Sequence, residues 1–129
     1  MSYSQRTKDI IKYSKAGLRF FFKHGNSPSR PFVLMYHRIL RDPEGECFPV
    51  QPGLFVTEKT FNMHLEYLKA NFKIIHVKEL LERYFDGESL HNCCAISFDD
   101  GWRDNYYYAF PLLKKHSIPS SFFFSDRIY

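Results

Sequence analysis

Residues 93–101 read Cys-Cys-Ala-Ile-Ser-Phe-Asp-Asp-Gly, an apolar run that stops at two adjacent carboxylates and a glycine. A short apolar run of this kind is typical of a strand buried on both faces, as parallel sheets require. Adjacent carboxylates repel each other, and each is costly to bury without a partner. A strand that ends in Asp99-Asp100-Gly101 therefore indicates a site that uses negative charge, most simply for a metal-assisted reaction.

The segments on either side of this run alternate between strand and helix patterns. This alternation predicts an α/β fold with a mainly parallel sheet. Residues 41–56 hold three prolines and two glycines, so they are predicted to form a long loop. Strands are predicted at 32–36, 74–77, 93–98 and 120–124, and helices at 58–71, 78–85 and 104–116.

Positive charge is concentrated at the N-terminus. The net charge of +4 divides into +6 for residues 1–30 and −2 for the remainder. Residues 5–23 are predicted to form a basic amphipathic helix, which either lies on an anionic membrane surface or packs on the edge of the domain. A breaker cluster at 25–29 places the boundary between an N-terminal segment, 1–30, and a domain, 31–129. Nucleic-acid binding is not expected, because the domain itself lacks the basic excess.

The cysteines and the hydropathy are the features of the sequence that bear on the cellular location of the protein. Cys47, Cys93 and Cys94 lack the spacing of a disulfide framework or a zinc knuckle, so we expect small buried apolar residues. No apolar stretch is long enough to cross a bilayer, and charged residues interrupt the N-terminus where a signal peptide would be apolar. The localisation is unknown; a cytoplasmic location is the default expectation, with the cell envelope as the alternative.

Candidate site residues gather at two predicted strand ends, Asp99-Asp100 and Tyr36-His37. Ligands of parallel α/β sheets bind beyond the carboxyl ends of the strands. Because successive side chains on a strand alternate in direction, one carboxylate can bind a cation while the other takes a proton from water. Alternatively the pair caps the following helix, the role that we assign to Asp104. Trp102 and the tyrosines at 106–108 can stack on a sugar, although helical spacing favours a core position.

Together these residues resemble a known family. Residues 97–101 (Ser-Phe-Asp-Asp-Gly) resemble the first motif of the polysaccharide deacetylases, the NodB-homology group. Residues 33–39 (Val-Leu-Met-Tyr-His-Arg-Ile) look like the opening strand of many members, and the pattern over 105–124 is also similar. The resemblance spans 31–129, and its ordered set of motifs is far more specific than the acidic pair alone.

The resemblance implies an enzyme that removes N-acetyl, or sometimes O-acetyl, groups from an acetylated glycan on an incomplete (β/α) barrel. It implies that Asp99 is the catalytic general base and that Asp100 is a ligand to a divalent metal, most often zinc. Residues expected at the rim of the site are Tyr36, His37, Gly101 and Trp102.

Part of the family pattern has no counterpart in these residues. The two histidine ligands of the metal belong to a later motif, and a barrel needs about 200 residues or more. We therefore expect about the first half of a barrel, a truncated chain that is inactive alone. An exposed sheet edge is expected to favour self-association.

Two other classes of function stay open. One is a non-catalytic module that binds a glycan, a protein partner or, through residues 5–23, a membrane surface. The other is an α/β phosphotransfer domain in which the acidic pair binds magnesium. That domain needs a separate phospho-acceptor carboxylate, for which Asp126 is the candidate.

Overall fold

A computed structural model of the chain describes residues 30–46, 50–51 and 53–124. The predicted helix at 5–23, Cys47 and Asp126 lie outside these residues. None of the helices in the described ranges is long and apolar enough to cross a bilayer. The elements in chain order are β1 (Phe32–Tyr36), β2 (Arg38–Leu40), β3 (Phe55–Thr57), α1 (Glu58–Asn71), β4 (Lys73–Ile74), α2 (Val77–Phe85), β5 (Cys93–Asp99), a π-helical segment (Asn105–Ala109), α3 (Phe110–His116) and β6 (Ser121–Phe123).

Strand β5, the apolar run that precedes the acidic pair, lies at the centre of a parallel sheet. It pairs with β1 along its length, from Phe32 opposite Cys94 to Tyr36 opposite Phe98. It also pairs with β4 near its start and with β6 near its end. All of these pairings are parallel, which confirms the predicted α/β arrangement. The carboxyl ends of β1, β5 and β6 therefore meet at one edge of the sheet.

The two faces of β5 pack against different helices. Cys94, Ile96 and Phe98 belong to the larger core, which includes buried residues of α1 and α3. Cys93 and Ala95 point to the other face, where a second cluster includes residues of α2. A strand covered on both sides is mostly apolar, which explains the run in the sequence; Ser97 is its one buried polar residue before Asp99.

Helix α1 has the bounds that the sequence predicts. It starts at the N-cap Thr57, whose Oγ1 accepts a hydrogen bond from the Thr60 backbone N–H at 3.1 Å. Phe61 and Leu65 lie one turn apart on the face that packs on the sheet, and both are fully buried. The cap at Thr57 and the spacing of the buried apolar residues indicate the same helix, so the bounds of α1 can be predicted from the sequence.

Two predictions of local structure were wrong. The end of the predicted loop at 41–56 forms β3, which pairs in parallel with β2 as a small separate sheet. The strand predicted at 74–77 is limited to Lys73–Ile74, and Val77 begins α2, where its N–H bonds to Ser121 Oγ at 3.2 Å. Both differences come from pairings between distant segments, which three-residue strands do not signal in the sequence.

Candidate active site

A left-handed turn follows the last residue of β5. Asp100 has φ +70° and Gly101 has φ +64°. For a residue other than glycine this conformation is uncommon and costs about 1 kcal/mol or more. A Cβ at Gly101 would lie 2.5 Å from Cδ1 of Phe124, so a side chain there would require the exposed Phe124 ring to move. The backbone strain at Asp100 thus lies at the predicted site.

His37 stands beside this turn. His37 directly follows Tyr36, the last residue of β1, and Asp99 directly follows Phe98. Because Tyr36 pairs with Phe98 in the sheet, His37 and Asp99 occupy equivalent positions at the ends of neighbouring strands. Nε2 of His37 lies 4.0 Å from Oδ2 of Asp100, with the two side chains 26% and 40% exposed. Asp99 is half-buried. The structure therefore brings Asp99, Asp100 and His37 together at the carboxyl edge of the sheet, as the sequence predicts.

Tyr36 does not lie at the rim of the site, because strand alternation turns it to the opposite face from His37. It is buried in the larger core, and its hydroxyl shares a hydrogen bond of 2.8 Å with Nδ1 of His64. Burial raises the pKa of the Tyr36 phenol, with a further contribution from Cys94. Burial lowers the pKa of His64, so this imidazole is neutral near pH 7. The pair is a structural contact beneath the site.

Asp104 does not cap the helix, which corrects the role assigned from sequence. Its carboxylate makes no capping hydrogen bond. Instead Oδ1 accepts from the Ile39 backbone N–H at 3.0 Å and Oδ2 accepts from Arg38 Nε at 2.8 Å. Asp104 is only 8% exposed. It therefore connects the turn after β5 to the start of β2, immediately after His37.

Arg38 is a site residue that local sequence patterns did not single out. Its Nη2 donates to Glu46 at 3.2 Å, and its guanidinium lies 4.6 Å from the centre of the Trp102 ring. Burial opposes the charge of Arg38, but hydrogen bonds and charges from Asp104 and Glu46 outweigh it and raise its pKa. Arg38 contacts Glu46, 8 positions away in the sequence, and Asp104, 66 positions away, so no short motif could reveal these contacts.

The helix that follows the turn starts irregularly. Asn105–Ala109 is π-helical, a conformation that occurs often at functional sites. Asn105 is 2% exposed, and both polar atoms of its side chain lack a hydrogen-bond partner within the described part of the chain. Tyr106 and Tyr107 are 68% and 58% exposed, so the preference for a core position was wrong for these two tyrosines.

The described residues do not complete a metal site. No group of three or more His, Cys, Asp or Glu side chains in the described ranges is placed to hold a metal ion. Asp100 and His37 together are fewer than the three protein ligands that a catalytic zinc usually has. These residues alone do not fit a metal, so no catalytic step through a metal follows from them.

Comparisons with known proteins agree with the geometry. The sequence model for polysaccharide deacetylase matches residues 86–129, which include β5 and the acidic turn. YxkH of Bacillus subtilis, named as a polysaccharide deacetylase, is 34% identical over 98 residues, or 74% of this chain and 32% of that protein. The poly-β-1,6-N-acetyl-D-glucosamine N-deacetylase of Staphylococcus epidermidis is 32% identical over 99 residues, or 70% of this chain and 34% of the relative.

A solved structure shares the fold. IcaB from Ammonifex degensii superimposes with a TM-score of 0.60 and 29% identity, over 76% of this chain and 39% of that chain. The match confirms the predicted incomplete barrel of the NodB type. The chain spans about one third of the length of the curated relatives that it matches.

Proposed function

This chain belongs to the polysaccharide deacetylase family, and from that premise we propose that it forms the N-terminal part of an enzyme that hydrolyses acetyl groups on a glycan. The observation that carries the proposal is the turn after β5. There Asp99 and the strained Asp100 meet His37 at the carboxyl edge of a parallel sheet, with 4.0 Å between His37 Nε2 and Asp100 Oδ2. The family match covers this turn.

The two carboxylates take different roles in this proposal. Asp99 ends a strand and is half-buried, and its backbone is paired with Phe123 of β6. We assign to it the general base, which takes a proton from the water that attacks the acetyl carbonyl. Asp100 is more exposed, and we assign to it one ligand of a divalent metal, with zinc as the proposed ion. The remaining ligands would come from residues outside the described ranges.

The proposed substrate is a polymer of acetylated amino sugars. Support comes from the Staphylococcus epidermidis relative, whose name specifies poly-β-1,6-N-acetyl-D-glucosamine. Hydrolysis would convert each N-acetyl group into a free amine and acetate. Removal of acetyl groups leaves basic amines, so acetate release and new amino groups on the glycan are both measurable products.

We expect the 129 residues alone to release no acetate, because the described residues leave the metal site incomplete. The test is therefore a chimera. Residues 31–124 replace the matching segment of the Staphylococcus epidermidis N-deacetylase, and acetate release from poly-β-1,6-N-acetyl-D-glucosamine is measured. The proposal predicts activity that Asp99→Asn reduces by about 10²–10⁴-fold. Glu58→Gln, which also replaces a carboxylate by an amide but lies at the start of α1, is the matched control and should keep full activity.

Self-association is a second proposal that rests on a specific surface. Val33 and Met35 of β1 are 45% and 57% exposed, although both lie in the middle of a strand. Within the described residues, β1 pairs on one side only, with β5. An open strand edge beside apolar side chains favours pairing with another copy. Light scattering after size-exclusion chromatography tests this, and a monomer at high concentration would contradict it.

Membrane docking depends on residues 5–23, which lie outside the described residues. It stays a prediction that follows from the basic amphipathic pattern. Co-sedimentation with anionic liposomes should disappear on deletion of residues 1–25.

A further inference from the structure

Arg38 is held in place from three directions at the edge of the acidic turn. Asp104 binds its Nε at 2.8 Å, Glu46 binds its Nη2 at 3.2 Å, and its backbone N–H donates to the Leu54 carbonyl at 3.1 Å. The Arg38 side chain is only 19% exposed. A guanidinium with two carboxylate partners and little exposure has a fixed plane and few alternative rotamers.

Trp102 lies against this fixed guanidinium. The centre of its ring is 4.6 Å from Arg38 Cζ, within the range of a cation–π contact. Trp102 is 36% exposed and lies two residues after Asp100 in the sequence. The chain thus presents an indole of defined orientation next to its acidic turn.

We propose that Trp102 is a stacking surface for one sugar ring of the glycan, with Arg38 and Asp104 as the residues that position it. The inference rests on the proposed function, because a polymeric substrate extends past the reacting acetyl group and needs contacts beside it. A pyranose ring has a face of C–H groups that packs on the electron-rich face of an indole. A ring already fixed in the free protein loses little conformational entropy on binding.

A second exposed aromatic surface provides a matched control. The rings of Tyr106 and Phe110 lie 5.9 Å apart and are parallel within 5°. They are 68% and 47% exposed, so they are at least as accessible as Trp102. Cation–π contacts in the described residues involve Trp102 and Tyr108 but not these two rings. The inference assigns the sugar to Trp102 and not to this neighbouring surface.

The experiment uses the 129-residue chain and a β-1,6-linked tetramer of N-acetylglucosamine. Trp102 is the single tryptophan of the chain, so its emission reports on this ring alone. We expect a saturable change of emission with the tetramer. Ligand-observed NMR should show affinity reduced by about tenfold or more in Trp102→Ala, and nearly unchanged in Trp102→Phe and in Tyr106→Ala.

Arg38→Lys tests the positioning role. Lysine keeps the positive charge beside Asp104 but lacks the planar group that stacks on the indole. We expect a shifted Trp102 emission in the free protein and weaker binding of the tetramer, with the circular dichroism spectrum unchanged. Unchanged emission and affinity would assign Arg38 a structural role only and would overturn this part of the inference.

The remaining results bear either on the stacking role of Trp102 or on the proposed hydrolase. The stacking role is overturned by the absence of saturable binding, by binding that survives Trp102→Ala, or by an equal loss in Tyr106→Ala. These results concern binding of the tetramer and are independent of acetate release by the chimera, which tests the proposed function separately. Conversely, an inactive chimera combined with Trp102-dependent binding would overturn the hydrolase and leave a glycan-binding surface.

Discussion

Replacement of Asp104 by alanine should destabilise the chain far more than loss of a surface ion pair. Its carboxylate is 8% exposed and accepts from a guanidinium and from a backbone N–H, at 2.8 and 3.0 Å. Hydrogen bonds with a charged partner contribute about 1.5–3 kcal/mol each. Arg38 keeps Glu46 as a partner, which reduces the loss. We therefore expect Asp104→Ala to lower the free energy of unfolding by about 2–4 kcal/mol.

The measurement is urea unfolding followed by circular dichroism. Asp104→Asn retains an acceptor for the Ile39 N–H but places an amide beside the Arg38 donor, so about 1–2 kcal/mol should be lost. This milder variant keeps the test informative if Asp104→Ala does not fold. The control is Glu58→Gln, which removes the negative charge from the Arg41–Glu58 pair, where the atoms are at the same distance, 2.8 Å, but Arg41 is 67% exposed. Its cost should be much smaller than that of Asp104→Ala, because solvent screens an exposed ion pair.

The refuting result is a stability of Asp104→Ala within about 0.5 kcal/mol of the wild type, or equal to that of Glu58→Gln. Either outcome would mean that the Asp104 carboxylate does not hold the turn after β5 against the start of β2. The positioning of Trp102 by Arg38 would then lose its structural basis as well.

Three further predictions test the packing around the site. Thr57→Ala should cost about 1 kcal/mol through loss of the cap on α1, whereas Thr57→Ser should be nearly neutral by the same unfolding assay. Because burial lowers the pKa of His64, the unfolded chain binds the proton first, so stability should be full above pH ~6.5 and fall as the pH drops. His64→Gln should reduce that slope, and a slope equal to that of the wild type would contradict the assignment. Burial, with a contribution from Cys93, raises the pKa of Cys94 to about 12. Cys93 and Cys94 are both buried, so in a Cys47→Ser chain we expect no thiol reaction with a disulfide reagent at pH 8 until the protein is unfolded, and rapid labelling of the native chain would refute this.

The sequence was most informative where one local pattern decided the structure. The run at 93–99 and the helix at 58–71 were predictable, because burial on both faces and a capped 3.6-residue period leave few alternatives. The meeting of His37 with the Asp99-Asp100 pair also followed, since it needs only the rule that parallel strands share a carboxyl edge.

Features that depend on distant contacts could not be predicted. Asp104 reads as a helix cap because its partners, Arg38 and Ile39, are 66 and 65 residues away. Tyr36 was predicted at the rim because the sequence does not show which face of the sheet it occupies. It also does not show that its hydroxyl has a partner in His64, 28 residues away. The π-helical start of the last helix has the same apolar period as an ordinary helix, so no local signal distinguishes it.

The most direct test of the central claim separates a base from a ligand within the acidic turn. In the chimera, kcat for acetate release and the bound zinc per chain are measured for two variants. The account predicts that Asp99→Asn lowers kcat by about 10²–10⁴-fold with zinc retained, and that Asp100→Asn loses both zinc and activity. Full activity in Asp99→Asn, or zinc retained in Asp100→Asn, would contradict the proposed roles of this carboxylate pair.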